Sequence, residues 1–126
     1  MKYIATLLLL FPFISLASPM GDLINGYRTV PVVEYEPICP IAEYRLQQIQ
    51  KDFSHQGFRD LTFLKEYGTW YENLAVEGTK IRGVDGVFNA WKKSPTHNYN
   101  LISEMKYVCI RHRGDYWVLL GWKPTI

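Results

Sequence analysis

Read for its alternation of apolar and polar positions, the chain of 126 residues divides into short helices followed by strands. Met20 to Tyr27 carries Leu23, Ile24 and Tyr27 at helical spacing, enough for two turns at most. Thr29 to Tyr35 holds Val30, Pro31, Val32 and Val33, an extended apolar connector in which Pro31 argues against a central strand. The strongest helical pattern follows Pro37. There Ile38, Ile41, Ala42, Leu46, Ile49 and Phe53 share one face, while Glu43, Arg45, Gln47, Gln48 and Lys51 are assigned to water. Pro40 falls in the first turn, where its missing N–H would have no partner anyway. Ser54-His55-Gln56-Gly57 is then the loop after this helix, and Leu61, Phe63, Leu64 and Tyr67 predict a short helix ending at Gly68.

Beyond Gly68 the pattern changes. Thr69 to Val76 is rich in aromatics and reads as a strand, broken by Gly78. Val84, Val87, Phe88 and Trp91 form the apolar stripe of a helix around Asp85 to Lys93. Ser94-Pro95 stops it, because Pro95 lacks an N–H and pushes the preceding residue out of helical geometry. His97 is thereby expected in a turn just past a helix end. Lys106 to His112 and Tyr116 to Trp122 read as two strands joined through Arg113-Gly114-Asp115, a hairpin turn containing glycine. The second strand is apolar at almost every position, as a strand buried on both faces must be. Helices then have to cover both sides of a small antiparallel sheet. The predicted fold is α+β, a three-layer α-β-α sandwich.

Composition adds an address to this picture. Lys2 precedes an apolar run from Tyr3 to Ile14, and Ser15-Leu16-Ala17 is a small-x-small ending. This is the pattern of a cleavable signal peptide over residues 1 to 17, leaving residues 18 to 126 as one domain. The apolar run is shorter than the ~20 residues that span a bilayer and is interrupted by Pro12, so no stable membrane anchor is expected. The expected destination is secreted or periplasmic. Losing Lys2 with the leader lowers the formal charge from +2 to +1, which gives no general attraction for nucleic acid. Two cysteines, Cys39 and Cys109, sit in a chain bound for an oxidising compartment. One disulfide between them would close a loop of about 70 residues; the alternative is two separate buried thiols. Arg113-Gly114-Asp115 spells an adhesion tripeptide, but a glycine between charged residues is ordinary hairpin chemistry.

Three residues could carry chemistry by type and position: His55 and His97 beside helix ends, and Glu72 in the aromatic segment. Two imidazoles and a carboxylate recur as the protein ligands of a catalytic divalent metal such as zinc, with water in the open position. A metal there would activate its water, and a nearby carboxylate could act as general base. The spacing differs from the helical zinc-protease motif, which has two histidines four apart around a glutamate. The structural alternatives are a helix-terminating His55 and a solvated Glu72. Ser94 has no base beside it in sequence, and its position follows from backbone geometry. His112, between Arg111 and Arg113, is placed on the surface.

The order of these pieces resembles the CAP superfamily, also called the SCP domain, in its secreted bacterial form. The residues that carry the resemblance are Phe53-Ser54-His55, then Tyr71-Glu72-Asn73-Leu74-Ala75, then Trp91-Lys92-Lys93-Ser94-Pro95-Thr96-His97-Asn98-Tyr99-Asn100-Leu101. Leu23-Ile24-Asn25-Gly26-Tyr27-Arg28 is similar to the family's first helix, so the likeness runs from about residue 20 to 122. It implies an α-β-α sandwich and a cleft holding His55, Glu72, Asn73, Ser94 and His97, with His55 and His97 as metal ligands. Two departures stand out: Ser94 lies where many relatives carry a second acid, and Tyr71 replaces the glycine that usually precedes Glu-Asn. The resemblance implies a binding or effector module whose cleft takes a small molecule, lipid or peptide. The alternative it carries is a metal-assisted hydrolase using Glu72 as base.

Overall fold

The computed structural model describes residues 18 to 125. The expected leader, residues 1 to 17, lies outside the described residues. In chain order the elements are helix α1 (Pro19–Tyr27), strand β1 (Val33–Glu34), a 3-10 turn (Glu36–Ile38) and helix α2 (Cys39–Lys51). The one-turn helix α3 (Gln56–Arg59), a second 3-10 helix (Thr62–Tyr67) and strand β2 (Gly68–Val76) follow. Helices α4 (Gly83–Lys93) and α5 (Pro95–Leu101) precede the terminal hairpin of β3 (Tyr107–Arg113) and β4 (Tyr116–Pro124).

The α+β fold expected from the pattern is present. The four strands lie in the order β1-β3-β4-β2. Strands β2, β4 and β3 are antiparallel, as expected, with Trp70, Trp122 and Tyr107 in one row across them. The fourth strand makes the sheet mixed: the connector around Pro31 supplies β1, two residues that pair parallel with β3 at its edge. Pro31 precedes the strand, where no ladder hydrogen bond is lost.

Central strand β4 explains its own composition. Its successive side chains alternate between two cores. Trp117 and Leu119 join a cluster with Met20, Ile24, Val87, Phe88, Trp91 and Leu101 from α1, α4 and α5. Val118 and Leu120 join another with Ala42, Leu46 and Ile49 from α2. Helices thus cover both faces of the sheet, giving three layers. Cys39 and Cys109 are bonded, with Cα atoms 5.4 Å apart, and tie the start of α2 to β3.

Two residues on or next to α2 differ from the expected pattern. Phe53 does not continue the apolar face of α2. The helix ends at Lys51, and Phe53 is 47% exposed beside Tyr116. Arg45, a charged residue expected in water, is 1% exposed. It stands three residues after Ala42 and four before Ile49, on the buried stripe, and its partner there is a carboxylate.

Candidate functional site

Strand β2 is the edge of the sheet opposite β1, so its outer side faces helices and not another strand. Alternation along an edge strand turns neighbouring residues to opposite layers. Glu72 points toward α2 and α3, on the same side as Leu74 in the α2 core. Asn73 points toward α5. One dipeptide therefore reaches both helical layers where they meet at the edge of the sheet, and the candidate cleft lies there.

On the α2 side Glu72 is buried, and both of its oxygens are engaged. Oε2 accepts from Arg45 Nε at 2.6 Å, and Oε1 accepts from Arg45 Nη2 at 2.9 Å. This is a bidentate guanidinium–carboxylate pair, the geometry in which a buried ion pair best offsets its desolvation. Arg45 also donates to Gln48 Oε1 at 2.6 Å and to the Ser54 carbonyl at 2.7 Å. The second bond fixes the segment just before His55. His55 heads α3, and its carbonyl accepts from Phe58 and Arg59 N–H. Its Nδ1 lies 3.0 Å from Glu72 Oε1. An ionised carboxylate offers only lone pairs, so this contact requires the proton on Nδ1 and leaves Nε2 directed away from Glu72.

On the other side, His97 was expected in an irregular turn and is the third residue of α5 instead. Ser94 adopts extended geometry and ends α4, and Pro95 starts the next helix at its first turn. A fixed φ near −65° suits proline to that position, so one residue stops a helix and starts another. Asn73, fully buried, donates to the His97 carbonyl at 3.1 Å and accepts from Asn100 Nδ2 at 2.8 Å. Asn100 also donates to the Glu72 carbonyl at 3.1 Å, satisfying the edge strand. The imidazole of His97 is half-buried, and its pKa is lowered by that burial first and by the neighbouring His55 second.

His55 and His97 face each other with ring centroids 6.4 Å apart. They open on a cavity of about 310 Å³ lined also by Phe58, Arg59, Trp70, Tyr71, Glu72, Thr96 and Asn100. Of the expected cleft residues, His55, Glu72 and His97 come together. Asn73 and Ser94 do not line the cavity. Asn73 stands behind it as a brace, and Ser94 forms the α4–α5 junction, its Oγ 3.4 Å from Thr96 Oγ1. Pattern reading missed Arg45, Arg59 and Asn100. The helical spacing of Arg45 was the available signal for the first; Asn100 lies in the segment that carries the family resemblance, and nothing local marks Arg59.

Glu72 is placed differently from a general base. A base needs a lone pair open to a substrate proton, and this carboxylate already accepts from Arg45 and lies against His55 on an almost fully buried side chain. Among the described residues, no group of three or more His, Cys, Asp or Glu is arranged to hold a metal ion. The two imidazoles expected as metal ligands are the pair that faces this cavity. Comparison with family models, curated proteins and solved structures gives no match.

Proposed function

We propose that this chain is an exported CAP-like domain acting as a binding or effector module, with the cleft between His55 and His97 as its ligand site. The observation that carries the reading is the buried Arg45–Glu72–His55 relay. It holds one imidazole in a set orientation across a cavity from another. Orienting a surface imidazole with a buried ion pair is costly in desolvation, and a merely structural helix cap does not require it. In this reading Glu72 positions His55 and does not move a proton, which favours binding over a hydrolase that uses Glu72 as base.

The cleft suits a ligand with one polar end. Phe58, Arg59 and Trp70 also line an adjoining cavity of about 480 Å³ whose further walls include Leu61 and Leu64. A small molecule, lipid or peptide can place polar atoms at the histidines and Arg59 and run its apolar part over Trp70. A divalent cation such as zinc would be held by His55 and His97 alone, short of the three protein ligands of catalytic zinc centres. When bound, it would polarise an oxygen of the ligand. The residues fit an open two-imidazole site completed by water or ligand.

Zinc titration by calorimetry on wild type, His55→Ala and His97→Ala tests the pair. The expected result is a single binding isotherm lost in both variants. Identical heats in all three proteins would sink the ligand assignment.

A further inference from the structure

Ser18 is tied into the fold through both its side chain and its backbone nitrogen. Its side chain caps α1, with Oγ accepting from Gly21 N–H at 3.0 Å. Its own backbone nitrogen donates to Glu34 Oε2 at 2.7 Å, across to strand β1. That carboxylate sits directly over the first turn of α1. A Cβ added at Gly21 would lie 2.5 Å from the same oxygen, so the first turn is closed down on Glu34. Among the described residues Glu34 makes no ion pair. The nearby cation Arg111, which lines the same small cavity, is engaged by Glu36 and Glu43 at 3.0 and 3.3 Å. Among the described residues a half-buried carboxylate is thus held against one main-chain nitrogen and no side-chain cation.

We infer that Ser18 is built to be the N-terminus of the mature protein, and that Glu34 is the counter-ion of its α-ammonium group. The inference rests on cleavage after Ala17, read from the leader pattern, and is independent of the His55–His97 cleft. Cleavage breaks the Ala17–Ser18 amide with water and turns the Ser18 nitrogen from an amide donor into an ammonium carrying three donors. The bond to Glu34, already charge-assisted through the carboxylate, then gains a charge on the donor side as well and becomes an ion pair. An ammonium at a helix N-terminus is ordinarily opposed by the helix dipole, and Glu34 supplies the negative charge that offsets it. Removing the leader therefore strengthens the clasp between α1 and β1, which also includes Asn25, whose side chain bonds both polar groups of the Val32 backbone at 2.8 and 3.0 Å.

The test uses the protein exported with its own leader. Intact mass and N-terminal sequencing are expected to give Ser18 as first residue. Any other start overturns the processing step on which the inference rests. Urea unfolding is then compared for the mature protein, for a form with a Gly-Ser extension before Ser18, and for Glu34→Gln in both backgrounds. Gln keeps an acceptor oxygen and removes only the charge. In the mature background Glu34→Gln is expected to lower the folded-to-unfolded ratio roughly fivefold to tenfold, the range of a charge-assisted bond at a half-buried site. In the extended background, where the donor is an uncharged amide, the same substitution is expected to cost a smaller factor, about threefold or less. Equal losses in the two backgrounds would show that no charge couples Ser18 to Glu34 and would overturn the pairing while leaving the cleavage site intact.

Discussion

Replacing Glu72 by Gln probes the centre of the cleft with one atom changed. The native carboxylate accepts two bonds from Arg45, at 2.6 and 2.9 Å, and lies 3.0 Å from His55 Nδ1, on side chains of Arg45 and Glu72 that are each 1% exposed. Gln offers one acceptor oxygen and turns an N–H₂ toward either the guanidinium or the imidazole. Arg45 keeps Gln48 and the Ser54 carbonyl but loses its counter-charge, Glu72. Removing one partner of a buried pair costs about 3–5 kcal/mol, a large share of the ~5–15 kcal/mol that holds a domain of this size. Urea unfolding at pH 7 measures it. A double variant, Arg45→Met with Glu72→Leu, leaves no stranded charge and is expected to be more stable than Glu72→Gln alone. If Glu72→Gln falls within 1 kcal/mol of wild type, the pair does not hold the site together and the reasoning fails. The same result bears on activity assays: loss of any turnover in Glu72→Gln cannot be assigned to proton transfer until the folded fraction has been measured.

Other outcomes follow from other parts of the molecule. The disulfide spans 70 residues, so Cys39→Ala with Cys109→Ala is expected to lose about 4 kcal/mol by the chain-entropy estimate; a loss under 1 kcal/mol in urea unfolding would contradict that. Gly68 has φ +137° and faces the Lys123 carbonyl, leaving no space for a Cβ. Gly68→Ala is expected to shift β2 against β4 and cost more than about 2 kcal/mol, read as a lowered thermal midpoint. Burial lowers the pKa of His97 below 6.5, its ordinary value. As pH falls below 6.5, the unfolded chain takes up a proton that the folded one resists, so stability drops with acidification in that window. His97→Gln is expected to flatten the urea midpoint between pH 7 and 5, and an unchanged slope would remove His97 as the cause.

Much of the fold was legible because burial on two faces leaves a mark along the chain. The unbroken apolar run of β4 required cover on both sides, and Val118 and Leu119 enter different cores as that requires. The terminal hairpin, the helix from Cys39 and the strand from Gly68 followed from period and turn residues in the same way. What was not legible depends on partners distant in sequence. Arg45 carries a charge, which normally means water, and only a carboxylate 27 residues away makes its burial tolerable. Two residues of β1 give no periodicity, and their parallel pairing with β3 is a tertiary outcome. Pro95 was ambiguous in a specific sense: the same ring that ends α4 begins α5, and the pattern showed the ending alone. At the site, residue types brought His55, Glu72 and His97 forward as candidates, but the role of Glu72 turned on Arg45. A carboxylate read without its partner looks available, and with its partner it is an orienting group. Asn73 shows the same limit, since its position in Glu-Asn implied a cleft residue while its two bonds make it a support for α5.

The central claim is that Arg45 and Glu72 fix His55 with its Nδ1 protonated, facing His97 across a ligand cleft. The chain has three histidines, His55, His97 and His112, so long-range proton–nitrogen spectra of the imidazoles resolve each one. Recorded at pH 8 and through a zinc titration, they read the tautomer and the site together. The expected spectrum shows His55 protonated at Nδ1, with His55 and His97 signals moving in step as zinc is added and His112 unmoved. His55 protonated at Nε2, or zinc shifts confined to His112, would contradict it.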